Sequence, residues 1–142
     1  MRITGISVHK AGGWVKHGKK RRYVKLHFAV KVETHEVVAM EVSTDDVHDV
    51  KALPGLVEES GRNVRVARLL GDGVYDSGKV YSFLESRGIE AIIKPRRNAR
   101  LGAGPPARRR AVSQIRELGY DAWAKLTGYG GRWAVETSYS TF

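Results

Sequence analysis

The chain has 142 residues, a length that fits one domain around a single hydrophobic core, and its 42% hydrophobic content is ordinary for a globular protein. It contains no cysteine, which excludes disulfides, thiolate zinc sites and a cysteine nucleophile, and no apolar run is long enough to span a bilayer. Lys and Arg number 25 against 15 Asp and Glu, and the resulting net charge of +10 lies where polyanion binders lie.

The distribution of charge is more telling than its total. The segment before Glu33 carries 9 basic residues and no acidic one, the segment from Glu33 to Glu90 carries 6 basic against 12 acidic, and the remainder carries 10 against 3. An acidic middle between basic ends suits an enzyme whose carboxylates hold a cation while Lys and Arg engage phosphates around it. A basic protein with solvated faces has the same composition. The opening residues Met1, Arg2, Ile3, Thr4 and Gly5 lack the regions of a secretory signal, so a cytoplasmic protein is expected.

Residues 3–8 form a plausible first strand, separated from the next strand by Gly12 and Gly13 and by the basic run of residues 16–22. From Tyr23 to Val32 the side chains alternate. Val24, Leu26, Phe28, Val30 and Val32 share one face, as in a half-buried strand, and the polar turn at Glu33, Thr34, His35 and Glu36 returns the chain as an antiparallel partner over residues 37–42. Asp45 and Asp46 offer caps for a helix carrying Val50, Leu53, Leu56 and Val57, with Pro54 obscuring its start. Residues 64–70 are mostly apolar, with Val64 and Val66 β-branched, and run into Gly71, Asp72 and Gly73, which predicts a buried strand ending in a tight turn. Ser77 is placed to cap a short helix ending at Gly88, and residues 89–93 read as a fifth strand. Residues 94–106 form a basic loop, followed by one helix over Val112 to Leu126 and a last one over residues 132–142. Three strands, then alternating helices and strands, give an α/β fold: a mixed sheet of about five strands, antiparallel hairpin first and parallel strands after it.

Asp72 follows a buried strand between two glycines, so its carboxylate should emerge at the carboxyl edge of the sheet, where ligands collect in α/β folds. Read alone, an Asp flanked by glycines more often only closes a turn. Tyr129, Arg132, Glu136 and Tyr139 fall at offsets of three and four, on one side of a single helix, where Arg132 and Glu136 could equally form an ordinary surface pair. His48 with Asp46 and Asp49 is better placed to cap a helix than to hold a metal.

Taken together, the run LLGDGVYDS and the run GYGGRWAVETSYSTF resemble the second and third catalytic motifs of DDE-type insertion-sequence transposases. Tyr129, Arg132 and Glu136 match the first three members of that group's tyrosine, arginine, glutamate, lysine signature, and the lysine position falls one residue past Phe142. The resemblance covers nearly the whole chain and implies a single ribonuclease H-like catalytic domain over residues 1–142, incomplete at both ends. It further implies phosphoryl transfer with Mg²⁺ or Mn²⁺ held by Asp72 and Glu136, Arg132 and Tyr129 in support, double-stranded DNA at the transposon ends and target as partner, and a homodimer.

Lys16, Lys19, Lys20, Arg21 and Arg22, with Lys94, Arg96, Arg97 and Arg100, are expected on the DNA backbone. One departure stands out: the family's first strand opens with aspartate, and Arg2 stands at that position. A guanidinium cannot ligate a cation, so the resemblance implies a defective remnant with little strand transfer and weak or lost metal binding. The competing readings are a noncatalytic nucleic-acid-binding protein that keeps the fold and a general ribonuclease H-like nuclease.

Overall fold

A computed structural model describes residues 3–44, 48–97, 99–100 and 102–140. Five strands form one sheet in the order β3-β2-β1-β4-β5, built from β1 (Ile3–His17), β2 (Lys20–Lys31), β3 (Val37–Thr44), β4 (Arg65–Gly71) and β5 (Glu90–Ile93). The first three strands are antiparallel neighbours, and β4 and β5 run parallel to β1. This is the mixed, hairpin-first sheet that the ribonuclease H-like expectation requires. Helix α1 (Asp49–Asn63) links β3 to β4, and α2 (Gly78–Ser86) links β4 to β5. Then come α3 (Pro106–Leu118), α4 (Tyr120–Thr127) and α5 (Gly131–Ser140). Among the described residues, no helix is long and apolar enough to cross a membrane.

The main core lies between the sheet and α1 with α2. Ile6, Val8, Ala29 and Ala39 from the strands meet Leu53, Leu56, Val80 and Leu84 from the helices. A second cluster joins Leu70 and Ile92 to Trp123, Ala124 and Tyr129. The interior strand β4 sends Leu69 into the first cluster and Leu70 into the second, so it is packed on both faces, and Asp72 follows directly from its end.

Several local expectations change. The basic run at residues 16–22 is not a loop: β1 and β2 stay paired to the tip, from Ile6 opposite Lys31 to His17 opposite Lys20. The expected alternation of β2 holds only in part. Helix α1 covers the side carrying His27 and Ala29, which are fully buried, while on the expected face Val30 is fully buried and Val24, Leu26 and Phe28 are only half-buried. The polar side chains on that covered side are accommodated by partners, since His27 Nε2 lies 2.8 Å from Ser43 Oγ and the Lys25 ammonium reaches Asp49. Alternation in the sequence marks two faces but not which one the helix will choose. The single helix expected over residues 112–126 is broken into α3 and α4 at Gly119, whose φ of 85° is open to glycine at little cost. Asp45 and Asp46, expected as caps, lie outside the described residues. Helix α1 instead begins after His48, with no side-chain cap, and Pro54 sits inside it. Ser77 does cap α2, its Oγ accepting from the Val80 amide at 3.3 Å.

Candidate active site

Asp72 emerges at the end of β4 and opens a 3-10 turn over Gly73–Tyr75. Its Oδ1 accepts from the Val74 amide at 3.1 Å, and its side chain remains 46% exposed. The turn is tied to the rest of the fold through Asp76, whose side chain is fully buried. Arg108 from α3 donates to both Asp76 oxygens, at 2.6 and 3.0 Å, and the Arg96 amide donates to Oδ2 at 2.9 Å. The Arg96 guanidinium in turn donates to the Gly73 carbonyl at 3.1 Å. One buried carboxylate thus fastens α3 and the segment after β5 to the turn that presents Asp72.

Glu136 arrives from α5, one helical turn after Arg132. Arg132 Nη1 donates to Glu136 Oε1, while Nη2 donates to the Val8 carbonyl at 3.1 Å and lies 3.8 Å from Asp72 Oδ2. A single guanidinium therefore joins the two carboxylates to the β1 backbone. Arg132 is 8% exposed and Glu136 about half exposed, so the cation is held in place while the carboxylate faces solvent.

Tyr129 is placed differently from the expectation. It precedes α5 and does not lie on it, and its ring is buried against Trp123, Tyr120 and Trp133. Burial raises the Tyr129 hydroxyl well above the ordinary phenol range. At 2% exposure the ring is a core element beside the start of α5. The side chain of Tyr139 lies outside what is described.

Arg2 also lies outside the described residues. Its neighbour Ile3 pairs with Arg65 at the start of β4, and Asp72 is about 23 Å further along at the usual rise per residue. The stretch of β1 beside Arg132 is Val8, His9 and Lys10, none of which carries a carboxylate. Lys10 donates to Asp49 at 2.9 Å and feels the charge of Asp72. Lys25 is 3.3 Å from the other Asp49 oxygen, and the two hydrogen bonds hold the Asp49 carboxyl below its ordinary range against the opposing effect of burial. Asp49 with its two lysines is a network that sequence reading missed. Only the spacing of Lys10 and Lys25 across the hairpin register could have suggested it.

His9 Nε2 lies 2.7 Å from Ser7 Oγ, and the ring stacks on Phe28. Burial, then the Arg132 charge, lowers the His9 ring to about 4. The unfolded chain takes up a proton near the ordinary 6.5 while the folded chain refuses it until about 4, so folded stability is full above that window and falls as pH drops through it. Burial lowers His27 in the same direction. The urea midpoint should therefore fall between pH 7.5 and 4.5, and His9→Gln should show a smaller fall. An unchanged fall in that variant would remove His9 from this account.

The basic residues divide into two groups. Lys94, Arg96 and Arg97, joined by Arg116, line a groove of about 720 Å³ that opens on Asp72 itself, with Val112, Ile115 and Tyr120 on its floor. The Lys94 ammonium sits 4.5 Å from the centre of the Tyr120 ring. Lys16, Lys19, Lys20, Arg21 and Arg22 are exposed on the β1–β2 hairpin, which continues past the level of Leu70 as an arm. Arg21 lies over the exposed Trp14 ring at 5.5 Å. Arg100 lies between the groove-lining segment and α3, outside the groove.

Among the described residues, no three His, Asp or Glu side chains gather as a metal cluster. Asp72 and Glu136 suit one divalent cation completed by water oxygens, because hard cations accept carboxylate oxygen with a large share of water. Among the described residues, Val8, His9 and Lys10 of β1 beside Arg132 supply no bridging carboxylate of the kind a two-ion site uses.

The chain is similar to the catalytic core domain of BIV integrase, at 12% identity and a TM-score of 0.41, over 92% of this chain and 72% of that one. The family described as transposase DDE domain matches residues 4–142, which takes in nearly all of the sheet, the Asp72 turn and the Glu136 helix. This chain belongs to the transposase DDE domain family.

Proposed function

We propose that this transposase catalytic domain binds double-stranded DNA along the groove of Lys94, Arg96, Arg97 and Arg116, holds one divalent cation through Asp72 and Glu136, and has lost strand transfer. The observation that carries the reading is the convergence of Asp72 and Glu136 on Arg132, with Asp72 itself lining a groove that carries four cations. DNA binding and divalent-metal use are what the family implies. The groove supports assigning the DNA backbone to these residues, and the hairpin arm offers a second set of cations for the same duplex.

A bound Mg²⁺ or Mn²⁺ would polarise a phosphate oxygen and lower the pKa of a ligated water. The protein groups act around it. Lys94, Arg97 and Arg116 attract and orient the backbone, Arg132 holds Glu136 in register with Asp72, and Asp76 keeps the turn from moving. Loss of transfer follows from charge, because the β1 residues beside Arg132 supply Lys10 and no third carboxylate. Since transposition joins two DNA ends, we also infer a homodimer, with the protein at the nucleoid.

The test uses end-labelled linear DNA. Binding should weaken steeply with salt, and Lys94→Ala or Arg97→Ala should each lower the slope of log affinity against log salt by about 1, whatever the DNA sequence. No cleavage should accompany binding in Mg²⁺. Cleavage that Asp72→Asn abolishes would overturn the loss of transfer, and an unchanged salt slope would overturn the groove assignment.

A further inference from the structure

On the other side of the Asp72 turn lies a second cavity, of about 860 Å³, between the first turns of α1 and the start of α2. Its volume is within the range of small-molecule pockets, about 300–1,000 Å³. Val50, Pro54, Val74 and Phe83 give it an apolar floor, and Lys51, Lys79 and Arg96 stand at its rim. Asp49 is the carboxylate in its lining, and that charge is already paired with Lys10 and Lys25. The cavity therefore combines apolar surface with a positive rim. It shares Gly73, Val74 and Arg96 with the groove that opens on Asp72.

We propose that this cavity takes one unpaired nucleotide of the DNA strand whose backbone passes Asp72, with the base on the Val74, Pro54 and Phe83 surface and its phosphate at Lys51 and Lys79. The inference rests on the DNA-binding reading above and goes beyond it. A base inside a duplex has both faces covered by its neighbours, so it has no face to offer an apolar floor. An unpaired base does. Lipid surfaces and acidic peptides are poorer matches, because a pocket of this size with an apolar floor and a cationic rim complements a single ring joined to a phosphate. The position adds a consequence: a strand that crosses the Asp72 turn runs from the Lys94 groove on one side into this cavity on the other.

The experiment measures fluorescence anisotropy of the full chain with a blunt duplex and with the same duplex carrying a three-nucleotide unpaired tail, in either polarity. The wild-type chain should bind one tailed duplex about tenfold more tightly than the blunt one, the size of effect expected from a stacked base. Pro54→Glu places a carboxylate on the floor at an exposed helix position where Glu is the better helix former, so folding is preserved. That variant, and separately the pair Lys51→Glu with Lys79→Glu, should bring the ratio to within about twofold of one.

Arg62→Glu with Arg65→Glu makes the same charge change at exposed positions at the other end of β4 and should leave the ratio unchanged. Millimolar dAMP should not compete. A wild-type ratio of one with intact blunt binding overturns the cavity proposal alone, as does a ratio that survives both cavity variants. Collapse of the ratio in dAMP would make this a free-nucleotide site and overturn the strand. Failure of both duplexes to bind would overturn the DNA reading together with it.

Discussion

Replacing Asp76 by alanine should cost about 3–5 kcal/mol of stability, the usual result of removing one member of a buried ion pair. The side chain is fully buried, and Arg108 is bound to both its oxygens with only 13% of its own side chain exposed. Deletion leaves that guanidinium facing protein with no counter-ion, and it also frees the Arg96 amide. For a domain of this size the melting temperature should fall by about 10 °C or more. Asp76→Asn keeps an acceptor for Arg96 without the charge for Arg108, so it should fall between the two. Thermal unfolding followed by circular dichroism separates the three proteins. A loss below about 1 kcal/mol in Asp76→Ala would mean that α3 is held to the Asp72 turn by its apolar contacts and not by this carboxylate.

Arg132→Ala should have opposite effects on the fold and on the cation. It removes a charged hydrogen bond to the Val8 carbonyl, which should destabilise the protein by about 1–3 kcal/mol. It also removes a positive charge beside both candidate ligands. At roughly 5 Å and an effective dielectric of about 40, suited to half-exposed carboxylates, that charge opposes a divalent cation by about 3 kcal/mol. The orientation that the i,i+4 pair gives Glu136 contributes only about 0.3–0.5 kcal/mol. Repulsion is the larger effect, so the variant should bind Mn²⁺ about tenfold or more tightly while melting at a lower temperature. Weaker Mn²⁺ binding in Arg132→Ala would show that the guanidinium's placement of Glu136 outweighs its charge.

The elements most legible in the sequence are those whose signals are local. The mostly apolar run before Gly71 marked β4, Ser77 marked the start of α2, and the glycine after that strand placed Asp72 at the sheet edge. Arg132 and Glu136 were legible as a pair because i,i+4 spacing brings side chains together on any helix. The features hidden from the sequence depend on contacts between distant segments. Asp49 meets Lys10 and Lys25 only because the hairpin register carries both lysines to the start of α1. Asp76 meets Arg108 across 32 residues, and nothing in the local pattern of either distinguishes it from a surface charge.

Tyr129 shows the opposite error. Its spacing from Arg132 suggested a shared helix face, but Gly130 and Gly131 place it before the helix, where Trp123 and Tyr120 enclose it. The two groups of basic residues looked equivalent in composition. Their separation into a groove beside Asp72 and an outlying arm follows from how far β1 and β2 remain paired.

The most direct test of the central claim is a count of Mn²⁺ ions bound per chain, by isothermal titration with electron paramagnetic resonance as a check. The account predicts one ion per chain, with Asp72→Asn and Glu136→Gln each weakening it about tenfold or more while circular dichroism stays unchanged. Two ions per chain, or Asp72→Asn binding as the wild type does, would contradict it.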